Sequence, residues 1–130
     1  MANRRVLVVD DEIHIVHVVA IKLRNNGYEV ISAENGAEAF TLAREEKPDI
    51  IVTDFQMPVM TGLQLVRELR QNETTKDIPV IMLTARGFAV QDKEKEELQI
   101  SELLSKPFSP KELLRSIDDI LYQRAVMRNK

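Results

Sequence analysis

Asp10, Asp11 and Asp54 are the side chains of this sequence best placed for chemistry, because each stands at the end of a short apolar run. Val6-Leu7-Val8-Val9 precedes the first two, and Ile50-Ile51-Val52-Thr53 precedes the third. Runs that are apolar on both faces and rich in β-branched residues read as buried strands. In an open parallel sheet, ligands bind beyond the carboxyl ends of the strands, where the strand order reverses. If these two strands are neighbours, three carboxylates meet in one crevice. Like charges that close do not all stay ionised alone: one pKa rises, or a cation joins them. An all-oxygen donor set completed by water suits Mg²⁺ better than a softer metal. The competing use of Asp10 and Asp11 is to cap the helix that follows them.

Two further strand ends supply what an anion needs. Thr84 follows Ile81-Met82-Leu83 and offers a hydroxyl. Lys106 follows Leu103-Leu104-Ser105 and offers a point charge suited to a phosphate or carboxylate oxygen. Taken singly, they read equally well as a turn residue and a solvated cation. Pro107 holds Lys106 in extended geometry, and a cis peptide there would aim the lysine inward. Three acids, a hydroxyl and a lysine at four strand ends describe a site for an acidic nucleophile, a divalent cation and a transferred phosphoryl group.

The elements that must position these groups alternate along the chain. Strands are expected over residues 5–10, 28–33, 49–54, 79–83 and 101–105, and helices over 12–26, 36–47, 62–71 and 88–98. Gly27 suits the left-handed position that ends the first helix, and Pro48 stops the second. Ser109-Pro110-Lys111-Glu112 reads as a capping box opening a fifth helix, whose stripe of Leu113, Leu114, Ile117, Ile120 and Leu121 runs on past Tyr122. Strict β–α alternation calls for an α/β fold, a parallel sheet with helices on both faces.

Composition sets the outer bounds. The 130 residues carry 18 Lys plus Arg against 21 Asp plus Glu, a net charge of −3, and no cysteine. That length suits one domain, and the absence of cysteine excludes disulfides, zinc–thiolate sites and thiol catalysis. A mildly acidic balance argues against nucleic acid as the main ligand of this chain. The longest apolar runs fall far short of the ~20 residues of a membrane span, and the N-terminus lacks the shape of a signal peptide. A soluble, cytoplasmic domain is expected, without membrane contact. Residues 123–130 read as a helix extension whose cations suit the helix dipole, or as the start of a linker.

The motifs Val9-Asp10-Asp11-Glu12, Thr53-Asp54-Phe55-Gln56-Met57-Pro58, Leu83-Thr84-Ala85-Arg86 and Ser105-Lys106-Pro107-Phe108 together resemble, from about Arg5 to Tyr122, the response-regulator receiver domain of two-component signalling, which implies a receiver domain over residues 1–122. The resemblance implies a flavodoxin-like (βα)₅ three-layer sandwich, with a five-stranded parallel sheet of order 2-1-3-4-5, the order that such domains share. It implies Asp54 as phospho-acceptor and Mg²⁺ as cofactor, held by Asp11, Asp54 and the backbone carbonyl of Gln56, with Asp10 acting through water. Lys106 and the Thr84 hydroxyl would bind phosphoryl oxygens. The implied donor is a phosphohistidine on a histidine kinase or histidine phosphotransfer protein, and the implied output a downstream protein or a fused domain. Gln56 and Arg86 occupy positions that tune hydrolysis in this family.

Departures from the family pattern are informative. Leu103 replaces the Tyr or Phe usual three residues before the lysine, so the aromatic half of the switch is lost or passes to another residue such as Phe88. On the first helix, Ile15, Val18, Val19 and Leu23 make one apolar stripe. Ile13, Val16, Ala20 and Ile21 lie off it, so Val16 and its neighbours are expected in an outward docking patch for the phosphodonor. His14 and His17 read as surface residues. The charged helix around residues 92–97 reads as a solvated face, or else as an output or dimer surface. Two other classes compete. A Mg²⁺-dependent phosphohydrolase of haloacid-dehalogenase type wants Asp-x-Asp after its first strand, and a flavin-binding module wants a Ser/Thr/Gly-rich phosphate loop there.

Overall fold

Residues 4–85 and 90–128 are described by the computed structural model. The chain runs β1 (Arg5–Val9), α1 (Ile13–Arg24), β2 (Glu29–Ala33), α2 (Gly36–Glu46), β3 (Ile50–Asp54), α3 (Gly62–Gln71), β4 (Val80–Thr84), α4 (Asp92–Glu97), β5 (Ile100–Ser105) and α5 (Pro110–Arg128). All strand pairings are parallel, in the order β2-β1-β3-β4-β5. Period-2 alternation splits the apolar strand residues between two layers. Leu7, Val9, Ile51, Val80 and Met82 pack against Ala39, Ala43, Leu65 and Leu69 of α2 and α3. Val6, Val8, Ile50, Val52, Ile81 and Leu83 pack against Val19, Ala20 and Leu23 of α1 and Leu113, Ile117 and Leu121 of α5. The expected three-layer flavodoxin-like sandwich is the observed one.

Local chemistry fixes the helix ends. Asn35 accepts the Glu38 N–H at 2.9 Å, and Thr61 and Gln64 form a reciprocal capping box. Ser109 Oγ accepts the Glu112 N–H at 3.0 Å, which realises one half of the box expected there. Gly27 takes φ +92°, the left-handed geometry expected of it. Beyond it, the Tyr28 hydroxyl donates to Asp118 and ties the entry of β2 to α5.

Several expectations need correction. In α1, Val18 is 52% exposed, whereas Val16 and Ala20 turn inward beside Val19 and Leu23. Val16, Val19, Ala20 and Leu23 fit the i, i+3, i+4, i+7 spacing as well as the expected set, because this helix is apolar nearly all round. Val16 therefore does not belong to an outward patch; the exposed apolar residues of α1 are Ile13, Val18 and Ile21. Helix α4 is shorter than expected and has no buried side chain. Phe88 and Arg86, with the roles considered for them, lie outside the described residues. β5 starts at Ile100, one residue early, and its pairing with β4 is irregular.

Candidate active site at the β1/β3 strand ends

β1 stops at Val9, and the Asp10 N–H donates to Ala33 O of β2 at 3.2 Å, which fixes the backbone just where the strand pair opens. Asp10 is 1% exposed. Its Oδ1 accepts the Glu12 N–H at 2.9 Å, so the capping use of this residue is real. Its Oδ2 points the other way, to Lys106 Nζ at 3.2 Å. Asp11 is exposed at the mouth of the site. Asp54 ends β3 and is buried; the next residue is pinned by Phe55 N–H to Leu83 O at 2.8 Å and Gly62 N–H to Phe55 O at 2.9 Å. Asp10, Asp11 and Asp54 each offer a carboxylate oxygen within 4.8 Å of the others.

Lys106 follows β5 and reaches into this acid cluster. Its backbone N–H donates to Thr84 O at 2.6 Å, and its peptide to Pro107 is cis. Its ammonium lies 3.2 Å from Asp54 Oδ1 and 3.4 Å from Glu12 Oε1, besides the Asp10 contact. A cleft of about 830 Å³ opens in front, lined by Asp11, Glu12, Asp54, Gln56, Pro58 and Lys106 among others. Thr84 is fully buried behind it, and its Oγ1 has no hydrogen-bond partner among the described residues. Leu103 is half-buried in the layer under α3 rather than in the cleft. The site thus brings together Asp10, Asp11, Asp54, Gln56 and Lys106, and leaves Thr84 and Leu103 behind it.

Crowding shifts the titrations. Burial pushes the Asp54 carboxyl above its ordinary value, the Asp10 charge adds to this, and Lys106 only partly offsets both. Burial likewise raises Asp10, against the pull of the Glu12 N–H and Lys106. For Lys106, burial works against the charge, but Asp54 and Asp10 together outweigh it and hold the ammonium above its usual value. One ammonium does not neutralise this cluster. The donor set is all oxygen and partly open to water, which fits a hard divalent cation.

Two contributors were not singled out from the sequence. Glu12 adds a second carboxylate contact to Lys106; its place directly after the Asp pair was the available signal. Gly62 passes so close to Asp54 that a Cβ there would lie 2.4 Å from the Asp54 carbonyl oxygen. No local pattern announces such an approach.

A flavodoxin-like (βα)₅ sheet with carboxylates, not a phosphate loop, at the β1/β3 reversal defines an α/β domain whose candidate site is an acidic cluster. The chain belongs to the response regulator receiver domain family, which it matches over residues 6–118. It is 38% identical over 121 residues to the phosphate regulon transcriptional regulatory protein PhoB of Pseudomonas aeruginosa, covering 93% of this chain and 53% of that protein. To the probable transcriptional regulator ycf27 of Cyanophora paradoxa it is 42% identical over 119 residues, covering 92% and 48%. The chain spans about half the length of these relatives. Among solved structures, the chemotaxis response regulator CheY4 of Vibrio cholerae aligns with TM-score 0.84 and 36% identity over 91% of this chain and 98% of that one. The receiver domain of a sensor histidine kinase of Pseudomonas aeruginosa, solved with magnesium coordinated in its active-site cleft, aligns with TM-score 0.79 and 30% identity over 94% and 97%. The phosphohydrolase alternative gains nothing from these matches, and this is a signalling domain.

Proposed function

We propose that this chain is a phospho-accepting switch in which an Asp54 carboxylate oxygen attacks phosphorus. A P–O bond forms as the P–N bond of a phosphohistidine breaks, and the released imidazole keeps its electron pair and takes a proton. The observation that carries this reading is the Lys106 ammonium, 3.2 Å from carboxylate oxygens of both Asp10 and Asp54. It offsets the repulsion between a carboxylate and an anionic phosphoryl group, and it stands ready to bind the incoming oxygens. Asp11, Asp54 and the Gln56 carbonyl would hold Mg²⁺ directly, with Asp10 through water. When bound, the ion supplies charge neutralisation at the phosphoryl oxygens. The buried Thr84 hydroxyl, without a partner among the described residues, would donate to a phosphoryl oxygen, and Leu103 takes no polar part.

The partners that fit are a histidine kinase or histidine phosphotransfer protein as donor, and a downstream protein or a fused output domain as receiver of the signal. Residues 1–122 act as the receiver unit, and 123–130 as a helix extension or the start of a linker. No described helix is long and apolar enough to cross a membrane, in keeping with a cytoplasmic site of action. The chain performs no turnover on external substrates beyond its own phosphorylation and dephosphorylation. Incubation with Mg²⁺ and acetyl phosphate, followed by intact mass, tests the reading. Wild type gains one phosphoryl adduct and Asp54→Asn gains none. An adduct on the variant, or none on wild type, overturns it.

A further inference from the structure

The pairing of β4 with β5 contains an irregularity that determines where Lys106 stands. Val80 pairs with Ile100, yet Ile81 pairs with Glu102, so Ser101 is an extra residue in β5. From there the register is regular, through Met82↔Leu103 and Leu83↔Leu104 to Thr84↔Ser105. The bulge also explains why Ile100 and Leu103, three residues apart, join the same apolar layer, whereas a regular strand would point them to opposite faces. Without the extra residue, Thr84 would face Leu104. Lys106 would then lie ~3.3 Å further along the strand, with its side chain turned to the other face. The contact of Lys106 with Asp10 and Asp54 therefore depends on keeping the bulge.

At the far end of the sheet, one side chain bridges the segments that lead into β4 and β5. The Arg70 guanidinium, in the last turn of α3, makes its hydrogen bonds to four backbone carbonyls. It donates to Leu98 O at 2.7 Å and Gln99 O at 3.2 Å, just before β5. It donates to Lys76 O at 2.9 Å and Ile78 O at 2.8 Å, just before β4. Gln99 has φ +54°, a left-handed geometry for a side-chain-bearing residue at the very entry to the bulge. The planar fork of a guanidinium can bridge these segments at once; the ammonium of a lysine lacks that fixed geometry. Helix α4 buries no side chain to help.

We infer that Arg70 is a positioning residue for phosphoryl transfer: its clamp on the entries of β4 and β5 maintains the bulged register that delivers Lys106 to Asp54. This rests on the proposed role of Lys106, and a double-mutant cycle separates the two. Wild type, Arg70→Lys, Lys106→Met and the double variant are incubated with Mg²⁺ and acetyl phosphate, and adduct formation is timed by intact mass. Thermal unfolding establishes that each variant is folded; Arg70→Gln substitutes if Arg70→Lys is not. Mg²⁺ affinity is measured by calorimetry.

Lys106→Met slows the reaction roughly a hundredfold, and Arg70→Lys roughly tenfold, the scale of a small misplacement caused from a distance. The double variant is no slower than Lys106→Met alone, because Arg70 acts only through Lys106. Mg²⁺ affinity stays within about twofold of wild type in Arg70→Lys, since the acids stand on β1 and β3, and amide exchange at Lys106 accelerates. A wild-type rate in Arg70→Lys, losses that multiply in the double variant, or a matching fall in Mg²⁺ affinity would each overturn the clamp. A wild-type rate in Lys106→Met would instead remove the proposed role of Lys106, and the inference with it.

Discussion

The two halves of the sheet place their functional groups by opposite means. β1 and β3 deliver carboxylates from regular, doubly flanked strands whose pairing runs from Val6↔Ile50 to Val9↔Thr53 without interruption. Every residue of β3 is buried. β5 delivers a cation from a bulged edge strand that exposes Ser101 and Ser105 and is overlaid by a helix with no buried side chain. The acids are positioned by the hydrophobic core itself. The lysine is positioned by a register irregularity and the hydrogen bonds that secure it. A close-packed strand pair gives a fixed site, whereas an edge strand on a clamp can be adjusted by changes outside the core.

The largest effect should fall on the regular half. Ile51 is fully buried, and Ile51→Ala should cost about 2–5 kcal/mol in denaturant unfolding. A loss well under that would show the β1/β3 half to be no tighter than its neighbour. Next comes Gly62→Ala, whose added carbon has to push away the Asp54 carbonyl. It should cost about 1–3 kcal/mol and slow phosphoryl adduct formation, measured on the same samples.

Asp54→Asn should act in the other direction. Asp10 and Asp54 have pKa values raised from an ordinary 3.8, chiefly by burial. A carboxyl raised in the folded state favours folding below its unfolded pKa, and this advantage is lost as pH climbs from about 3.8 through the raised value. At neutral pH without Mg²⁺ the ionised pair thus opposes folding. Asp54→Asn should then stabilise by about 0.5–2 kcal/mol, with the gain shrinking toward pH 4. Mg²⁺ at a hundredfold excess over its dissociation constant should add ~2.7 kcal/mol to wild type and much less to the variant. A variant that is less stable than wild type at pH 7 would show that Asp54 is a structural partner of Lys106 first. The smallest effect should be at the exposed Arg67–Glu94 pair, 3.1 Å apart, between α3 and α4. Arg67→Ala should cost about 0.2–1 kcal/mol; a larger cost would mean that α4 is held more firmly than its exposure implies.

The same contrast explains what could be read in the sequence. Val6–Val9 and Ile50–Thr53 are apolar on both faces, so their burial and the acids at their ends were legible in the sequence, whereas their adjacency followed only from the family resemblance. The helix expected over residues 62–71 has those bounds, although the Thr61 and Gln64 capping box that fixes its start was not read from the sequence. The rotation of α1 was not legible, since apolar residues surround it and two phases satisfy the core equally well. The bulge at Ser101 was invisible for a different reason. It is set by Arg70, about thirty positions earlier, through backbone carbonyls that any residue would offer. Local pattern finds the functional groups themselves, Lys106 included; it misses the distant hydrogen bonds that place some of them.

The tie between Tyr28 and Asp118 has a spectroscopic consequence. The chain has two tyrosines and no tryptophan, so phenolate absorbance is read without an indole background. Burial, then the hydrogen bond to Asp118 and its charge, hold the Tyr28 phenol well above its usual pKa. Its ionisation in alkali therefore reports whether α5 is still seated against the entry of β2. The last helix carries its own optical label, and its docking is read from the alkaline titration of that phenol without attaching a dye.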